Sequence, residues 1–323
     1  MTAVLVCSGG GHLKQLHALH RRFDLDEDTV WVTFDTALSR SLLAGEPVHF
    51  VPYVRPRDVV GVARVARIAH DVMRSYRAET VISTGANLAV GFLPSVFAHR
   101  ATMHYIESAA RALAPSMTGR VIDRIPRVVR YTQYERQASK RWSYAGSVLD
   151  AFTPGPAAGS ARLDRVVVTV GTNESYGFRR LIEALLRVIP SQSEVLWQTG
   201  TTDVTGLGIT GHARVPAADL ARAIAEADLV ISHAGMGSAL TVLEAGRTPL
   251  LVPRLRRFGE HVDDHQVPTA EELARRGLCL ARAATDVDEA ALYAAAAGRV
   301  QAIPAPPPFA LRHHRGQRKV AYA

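Results

Sequence analysis

The chain is predicted to be an α/β protein of two parallel-sheet units, and three observations carry that prediction. Short β-branched runs alternate with longer helical patterns along its 323 residues. Near the middle, residues 152–160 form a Pro/Gly/Ala/Ser stretch with no period and no charge. Behind it the alternation begins again, and the length suits two cores better than one.

In the first half, strands are expected over 4–8, 29–34, 48–52, 81–84, 102–106 and 128–131, with helices over 13–22, 58–76 and 88–98. In the second half, strands are expected over 166–170, 195–198, 229–232, 250–252 and 278–281. Helices are expected there over 178–189, 219–226, 238–245, 268–276 and 288–300. The domain limits are therefore 1–151 and 165–303, joined by a linker over 152–164 and followed by a loosely held, proline-rich and then basic tail over 304–323. Two such units place a ligand cleft at the carboxyl ends of both sheets.

Composition narrows the class. Hydrophobic residues make up 47% of the chain, and no run approaches the roughly 20 apolar residues of a membrane span. The start lacks the basic region and cleavage site of a signal peptide, so a cytoplasmic protein is expected. Cys7 and Cys279 are expected to be buried free thiols. The net charge of +8 is uneven: residues 1–150 hold 19 Lys+Arg against 13 Asp+Glu, and residues 151–323 hold 19 against 17. An anionic partner is implied, a phospholipid surface or a pyrophosphate-bearing acceptor before nucleic acid, for which no binding pattern is present.

Three motifs carry chemistry. Ser8-Gly9-Gly10-Gly11-His12 follows the first strand and opens a helix. Its glycines allow a ligand close to helix-terminal N–H groups, and His12 suits general-base work near neutral pH. Its spacing is not that of a dinucleotide fingerprint, and Asp35 is only a weak candidate for a ribose-binding acid. Val168-Thr169-Val170-Gly171-Thr172-Asn173-Glu174-Ser175 ends the second unit's first strand in residues suited to phosphate contacts.

The third motif is the most specific. It runs through Ser232-His233-Ala234-Gly235-Met236-Gly237-Ser238 and Leu243-Glu244-Ala245-Gly246 to Glu260-His261-Val262-Asp263-Asp264-His265-Gln266. The Gly-rich turn offers a helix N-terminus to a pyrophosphate. Glu244, two helical turns on, is placed to accept ribose hydroxyls. Asp263 and Gln266 are expected on one helical face, a carboxylate and an amide able to read sugar hydroxyls.

Over 228–276, and again at Val168-Thr169-Val170-Gly171-Thr172, the chain resembles the donor-binding half of the family 28 glycosyltransferases. That family includes peptidoglycan-precursor GlcNAc transferases and the catalytic subunit that adds the second GlcNAc of dolichol-linked chitobiose. The first half resembles the membrane-recruiting partner of that subunit, through Ser8-Gly9-Gly10-Gly11-His12, Ile82-Ser83-Thr84-Gly85 and Tyr105-Ile106-Glu107-Ser108. A similar pairing occurs in bacterial exopolysaccharide glycosyltransferases.

The resemblance implies the GT-B fold, two Rossmann-like domains facing each other across a cleft. It implies inverting transfer from a UDP-sugar, with no metal and no other cofactor. Glu244 would hold the ribose, and Gly171, Thr172, Asn173, His233, Gly235, Gly237 and Ser238 the pyrophosphate. Asp263, His265 and Gln266 would contact the sugar. His12 would be the base with Glu107 next in line, and Gly10, Gly11 and Ser108 would face the acceptor. The donor sugar is open among GlcNAc, glucose, glucuronic acid and others, and the acceptor is lipid-linked or a small molecule.

A natural-product (small-molecule) glycosyltransferase, a UDP-sugar 2-epimerase and a non-catalytic UDP-sugar-binding scaffold are the rival readings, in that order. The basic run Arg254-Leu255-Arg256-Arg257 faces either an acidic sugar or solvent. Asp24/Asp26 and Asp286/Asp288 are read as loop charge, not as metal-binding D-x-D motifs. Residues 57–77 are expected to form an interfacial helix, with Arg57, Arg64, Arg67 and Arg74 beside a stripe of Val59, Val62, Ala66, Ala69 and Met73. Arg120, Arg124 and Arg127 would extend that patch toward an anionic membrane.

Overall fold

A computed structural model describes residues 2–25, 28–55, 58–172 and 175–312. The chain divides into two compact units. The first comprises residues 1–109, 114–148 and 307–323, and the second residues 110–113 and 149–306.

The first unit runs β1 (Thr2–Cys7), α1 (Gly11–His20), β2 (Asp28–Phe34), α2 (Ala37–Leu42), β3 (Val48–Val51), α3 (Val59–Ser75), β4 (Thr80–Gly85) and α4 (Ala86–Ala98). It continues with β5 (Thr102–Ile106), α5 (Met117–Ile122), β6 (Val128–Thr132) and β7 (Ser143–Tyr144). Its sheet has the order β3-β2-β1-β4-β5-β6-β7, with every pairing parallel. Helices cover such a sheet on both faces, so β4 is buried along its whole length and reads as a continuous run rather than an alternation.

Asp58 starts α3 by accepting the Gly61 N–H at 2.8 Å. Val65, Ala69, Val72 and Met73 of α3 then join Leu88, Phe92 and Val96 of α4 in the core. The two helices approach so closely that a Cβ on Gly91 would lie 2.6 Å from Val65 Cγ1. This packing corrects the expected interfacial helix. Ala69 and Met73 are fully buried and Val62 packs against the core, so the apolar stripe is spent inside the unit. Arg64, Arg67 and Arg74 remain exposed, while Arg57 and the Val59 side chain lie outside the described residues.

The second unit runs β8 (Phe152–Gly155), β9 (Arg165–Thr169), α6 (Arg179–Leu185), β10 (Glu194–Gln198), β11 (Gly211–His212), α7 (Ala217–Glu226) and β12 (Leu229–His233). It continues with α8 (Met236–Glu244), β13 (Leu250–Val252), α9 (Gln266–Arg275), β14 (Leu280–Ala281), α10 (Glu289–Ala297) and β15 (Arg299–Ala302). The sheet order β11-β10-β9-β12-β13-β14 repeats the winding of the first unit. Val168, Ile231 and Leu250 pack against Leu181, Leu185 and Leu292 to form its core.

Three segments depart from expectation. Phe152–Gly155, read as part of the linker, is a strand paired antiparallel with β15. The last helix ends at Ala297, because Gly298 breaks it and β15 takes the residues assigned to its end. The first part of the tail is not loose. Phe309 is fully buried against the rings of Phe23 and Tyr131, and Arg312 N donates to the Tyr131 hydroxyl at 2.7 Å. His313, His314, Arg315, Arg318 and Lys319 lie outside the described residues. Both cysteines are buried free thiols, pushed up to about 12 by burial.

Candidate functional site

In each sheet the strand order reverses at one point, between β1 and β4 and between β9 and β12. Crevices form at such points beyond the carboxyl ends of the strands. The glycine-rich turns after β1 and β12 lie there.

In the first unit, Gly10 takes a left-handed φ of 68° as the residue before α1, a conformation favoured by glycine. Gly11 then begins the helix and His12 stands in its first turn. His12 Nδ1 lies 2.7 Å from the Thr84 carbonyl at the end of β4, and Thr84 Oγ1 donates to the His12 carbonyl at 2.9 Å. A carbonyl only accepts, so Nδ1 carries a proton, and in the neutral ring the lone pair is on Nε2.

Glu107 is buried, and its carboxylate accepts from Ser108 N at 3.0 Å, Ser116 N at 3.0 Å and Ser116 Oγ at 3.1 Å. It shapes the loop after β5. Ser108 is also buried and accepts from Gln15 Nε2 at 3.0 Å. Gln15 went unnoticed in the sequence. It is fully buried on α1, and its Oε1 accepts from Ala109 N and Gln133 Nε2 at 2.7 and 3.1 Å. A glutamine on the helix face that carries Leu16 and Leu19 was the available signal. Asp35 is exposed and ion-paired with Arg40.

In the second unit, His233 ends β12 with its ring held between two glycines. A Cβ on Gly171 would lie 2.6 Å from its Cε1, and one on Gly235 2.2 Å from its Nε2. Burial, with Arg254 adding to it, pushes His233 down to about 3, so the imidazole is neutral. Gly235 precedes α8 without a side-chain cap, which leaves the first N–H groups of the helix, with Gly237 and Ser238 among them, to other partners. Thr172 is exposed beside Gly171, and Asn173 lies outside the described residues. Glu244 is the last residue of α8 and exposed, about 9 Å along the axis from Ser238 at 1.5 Å per residue.

The expected helical pairing of Asp263 with Gln266 is corrected. Helix α9 begins at Gln266, so Asp263 lies in the loop before it. Gln266 is buried, its Oε1 accepting from Arg254 N at 3.0 Å. Asp263 instead meets Arg111, whose Nη1 donates to Oδ2 at 2.7 Å, and His265, whose Nδ1 donates to Oδ1. His261 Nδ1 lies 3.7 Å from that same oxygen and is buried without a hydrogen-bond partner. Hydrogen bonds from Arg111 and His265 hold the Asp263 carboxyl well below the usual range, overriding its partial burial.

Ligand atoms of His261, Asp263 and His265 lie within 4.8 Å of one another, and these residue types hold transition metals. The guanidinium of Arg111 already sits on the carboxylate, and the charges of Arg254 and Arg111 both act on His261. That positive field opposes a cation there.

The basic run resolves differently from either expectation. Arg254 is buried and donates to the carbonyls of Tyr176 at 2.7 Å, Glu260 at 3.2 Å and Val170. It fixes the loop under the site, while Arg256 and Arg257 are exposed. Asp288 caps α10 through Ala291 N at 2.8 Å, and Asp286 accepts from Thr285; Asp24 is exposed and Asp26 lies outside the described residues.

Residues 165–298 match the family model of the Glycosyltransferase family 28 C-terminal domain. The UDP-N-acetylglucosamine transferase subunit ALG13 of Yarrowia lipolytica is 38% identical over 87 residues, covering 27% of this chain and 39% of that protein. A UDP-N-acetylglucosamine--N-acetylmuramyl-(pentapeptide) pyrophosphoryl-undecaprenol N-acetylglucosamine transferase of Pseudomonas fluorescens is 28% identical over 307 residues, covering 85% and 83%. The chain spans only 34–39% of the length of the first curated relatives it matches. The crystal structure of Acinetobacter baumannii MurG superposes with a TM-score of 0.55 at 18% identity, covering 91% of this chain and 89% of that one. At that identity the likeness establishes the fold, GT-B with two Rossmann-like units.

Proposed function

We propose, for a chain whose residues 165–298 match the family 28 glycosyltransferase C-terminal domain, that it moves a hexose from a UDP-sugar to a hydroxyl acceptor with inversion and without a catalytic metal. One observation carries the reading. The neutral, glycine-flanked His233 and the start of α8, without a side-chain cap, follow one another at the switch point of the second sheet, an arrangement that suits a bound anion.

In the proposed step the acceptor oxygen attacks the anomeric carbon and gives its proton to His12 Nε2. The bond from that carbon to the phosphate oxygen breaks, and UDP leaves with the electron pair. The α8 dipole and the backbone around Gly171 meet the charge growing on the pyrophosphate, the work a metal ion would otherwise do. Glu244 is assigned to the ribose, and Asp263 with its neighbours to the sugar. Gly10, Gly11 and Ser108 shape the acceptor side, with Glu107 positioning the loop that carries Ser108.

GlcNAc or a related hexose is the proposed donor sugar, because both relatives are named for N-acetylglucosamine transfer, and a polyprenyl-pyrophosphate-linked glycan is the proposed acceptor, because the Pseudomonas relative is named for a pyrophosphoryl-undecaprenol one. Among the described residues no helix is long and apolar enough to cross a membrane. Exposed Arg64, Arg67, Arg74, Arg120, Arg124 and Arg127 support a peripheral stance on an anionic leaflet, each contributing about 1 kcal/mol near the surface. Flotation with anionic liposomes at low salt tests that stance, and protein left wholly in the soluble fraction overturns it. A donor panel read by UDP release, with lipid-linked and small-molecule acceptors, tests the activity. UDP release that depends on a lipid-linked acceptor supports the reading. Protein that neither binds nor releases UDP sinks it.

A further inference from the structure

The loop before α9 is completed by a residue from far away in the sequence. Residues 110–113 belong to the second unit although the chain on either side of them belongs to the first. The Thr269 hydroxyl of α9 shares its proton between the His265 carbonyl at 2.8 Å and the Ala110 carbonyl at 3.0 Å, which ties the segment to α9. The next residue, Arg111, then reaches Asp263 Oδ2 at 2.7 Å.

This ion pair is not buried out of reach. The side chains are 26% and 41% exposed for Arg111 and Asp263, so the carboxylate is gripped from two sides and still opens to solvent. An ionised carboxylate offers about four lone-pair directions, more than Arg111 and His265 occupy. Such a group, ionised and fixed in orientation, can accept hydroxyls of a hexose in one geometry and reject an epimer whose hydroxyl points elsewhere.

We propose that Arg111 is a specificity-determining residue of the donor site, acting by pinning Asp263 in the orientation that reads the hydroxyls of the donor hexose. The inference rests on the UDP-sugar reading of the second unit. Arg111 acts through Asp263 and is a positioning residue. Without it, Asp263 is held from the His265 side alone, and its carboxylate turns toward the two imidazoles. A lysine at the same place would restore the charge but not the planar fork.

Calorimetry with UDP, UDP-GlcNAc and UDP-GalNAc, which differ in the sugar and in one hydroxyl orientation, separates the effects. Wild-type protein is expected to prefer one of the two sugar nucleotides. Arg111→Ala should reduce that preference about tenfold, the size of one charge-assisted hydrogen bond, while the Kd for UDP stays within about twofold. Asp263→Asn should lose a similar amount, the double variant no more than either single one, and Arg111→Lys should recover part. Four results overturn the inference: no preference in the wild type, a preference unchanged in Arg111→Ala, losses that multiply in the double variant, or UDP affinity that falls in step with the preference. Failure of the wild type to bind UDP at all overturns the donor-site reading itself, and this inference with it.

Discussion

His12 and Thr84 exchange two hydrogen bonds across the switch point of the first sheet, ring Nδ1–H to carbonyl at 2.7 Å and hydroxyl to carbonyl at 2.9 Å. The pair fixes both the tautomer and the aim of the imidazole. Nε2 is thereby the atom that can take a proton from an acceptor hydroxyl. His12→Ala should lower turnover by roughly 10²–10⁴-fold, the usual worth of a general base, with UDP affinity unchanged. Initial rates with UDP calorimetry alongside check this, and an unimpaired variant removes the histidine from the reaction.

Donor affinity should depend on Glu244, exposed at the end of α8. Removing a carboxylate that accepts two ribose hydroxyls forfeits charge-assisted bonds worth about 2–4 kcal/mol together. Glu244→Ala is expected to weaken UDP binding by that amount, with the circular dichroism spectrum intact. An unchanged Kd would place the ribose elsewhere.

Acidification below pH 6.5 should destabilise the protein through its buried histidines. Burial pushes His233 down to about 3 and His261 to about 4 from an ordinary 6.5. Between those values and 6.5 the unfolded chain binds protons that the folded chain refuses, so stability is full above pH 6.5 and drains as pH falls through this window. Each such histidine adds up to about 1.4 kcal/mol per pH unit to the slope. Denaturant unfolding between pH 7.5 and 4.5 should show a shallower slope for His233→Asn than for the wild type. Parallel slopes would mean that His233 already protonates in the fold.

Much of this was legible in the sequence because it is local. Strand β5 and strand β13 fall where β-branched runs predict them, and Gly10, Gly11 and Gly235 sit at the strand-to-helix turns their motifs imply. Two misreadings are local, the start of α9 at Gln266 and the end of α10 before Gly298, and the others are long-range. Arg254 looked like a surface charge, because nothing local reveals that the carbonyls of Val170 and Tyr176 converge on it. Residues 152–155 read as linker, since their partner strand is more than 140 positions away, Phe152 pairing with Ala302. The stripe on α3 has the period of an interfacial helix, and only the approach of Gly91 to Val65 shows that α4 covers it. Arg111 stands three residues beyond the quoted Ser108, and its partner Asp263 could be paired with it only in three dimensions.

Metal-free inverting transfer is decided by what UDP-GlcNAc becomes when it is incubated with the protein and a polyprenyl-pyrophosphate-linked acceptor in the presence of EDTA. The account predicts UDP and a new glycoside in equal amounts, the sugar carrying the β configuration inverted from the α-linked donor, and no loss of rate to the chelator. UDP-ManNAc as the product would make the protein an epimerase. No turnover of the donor would make it a binding scaffold, and activity lost to EDTA and restored by Mg²⁺ would contradict the metal-free chemistry assigned to α8 and Gly171.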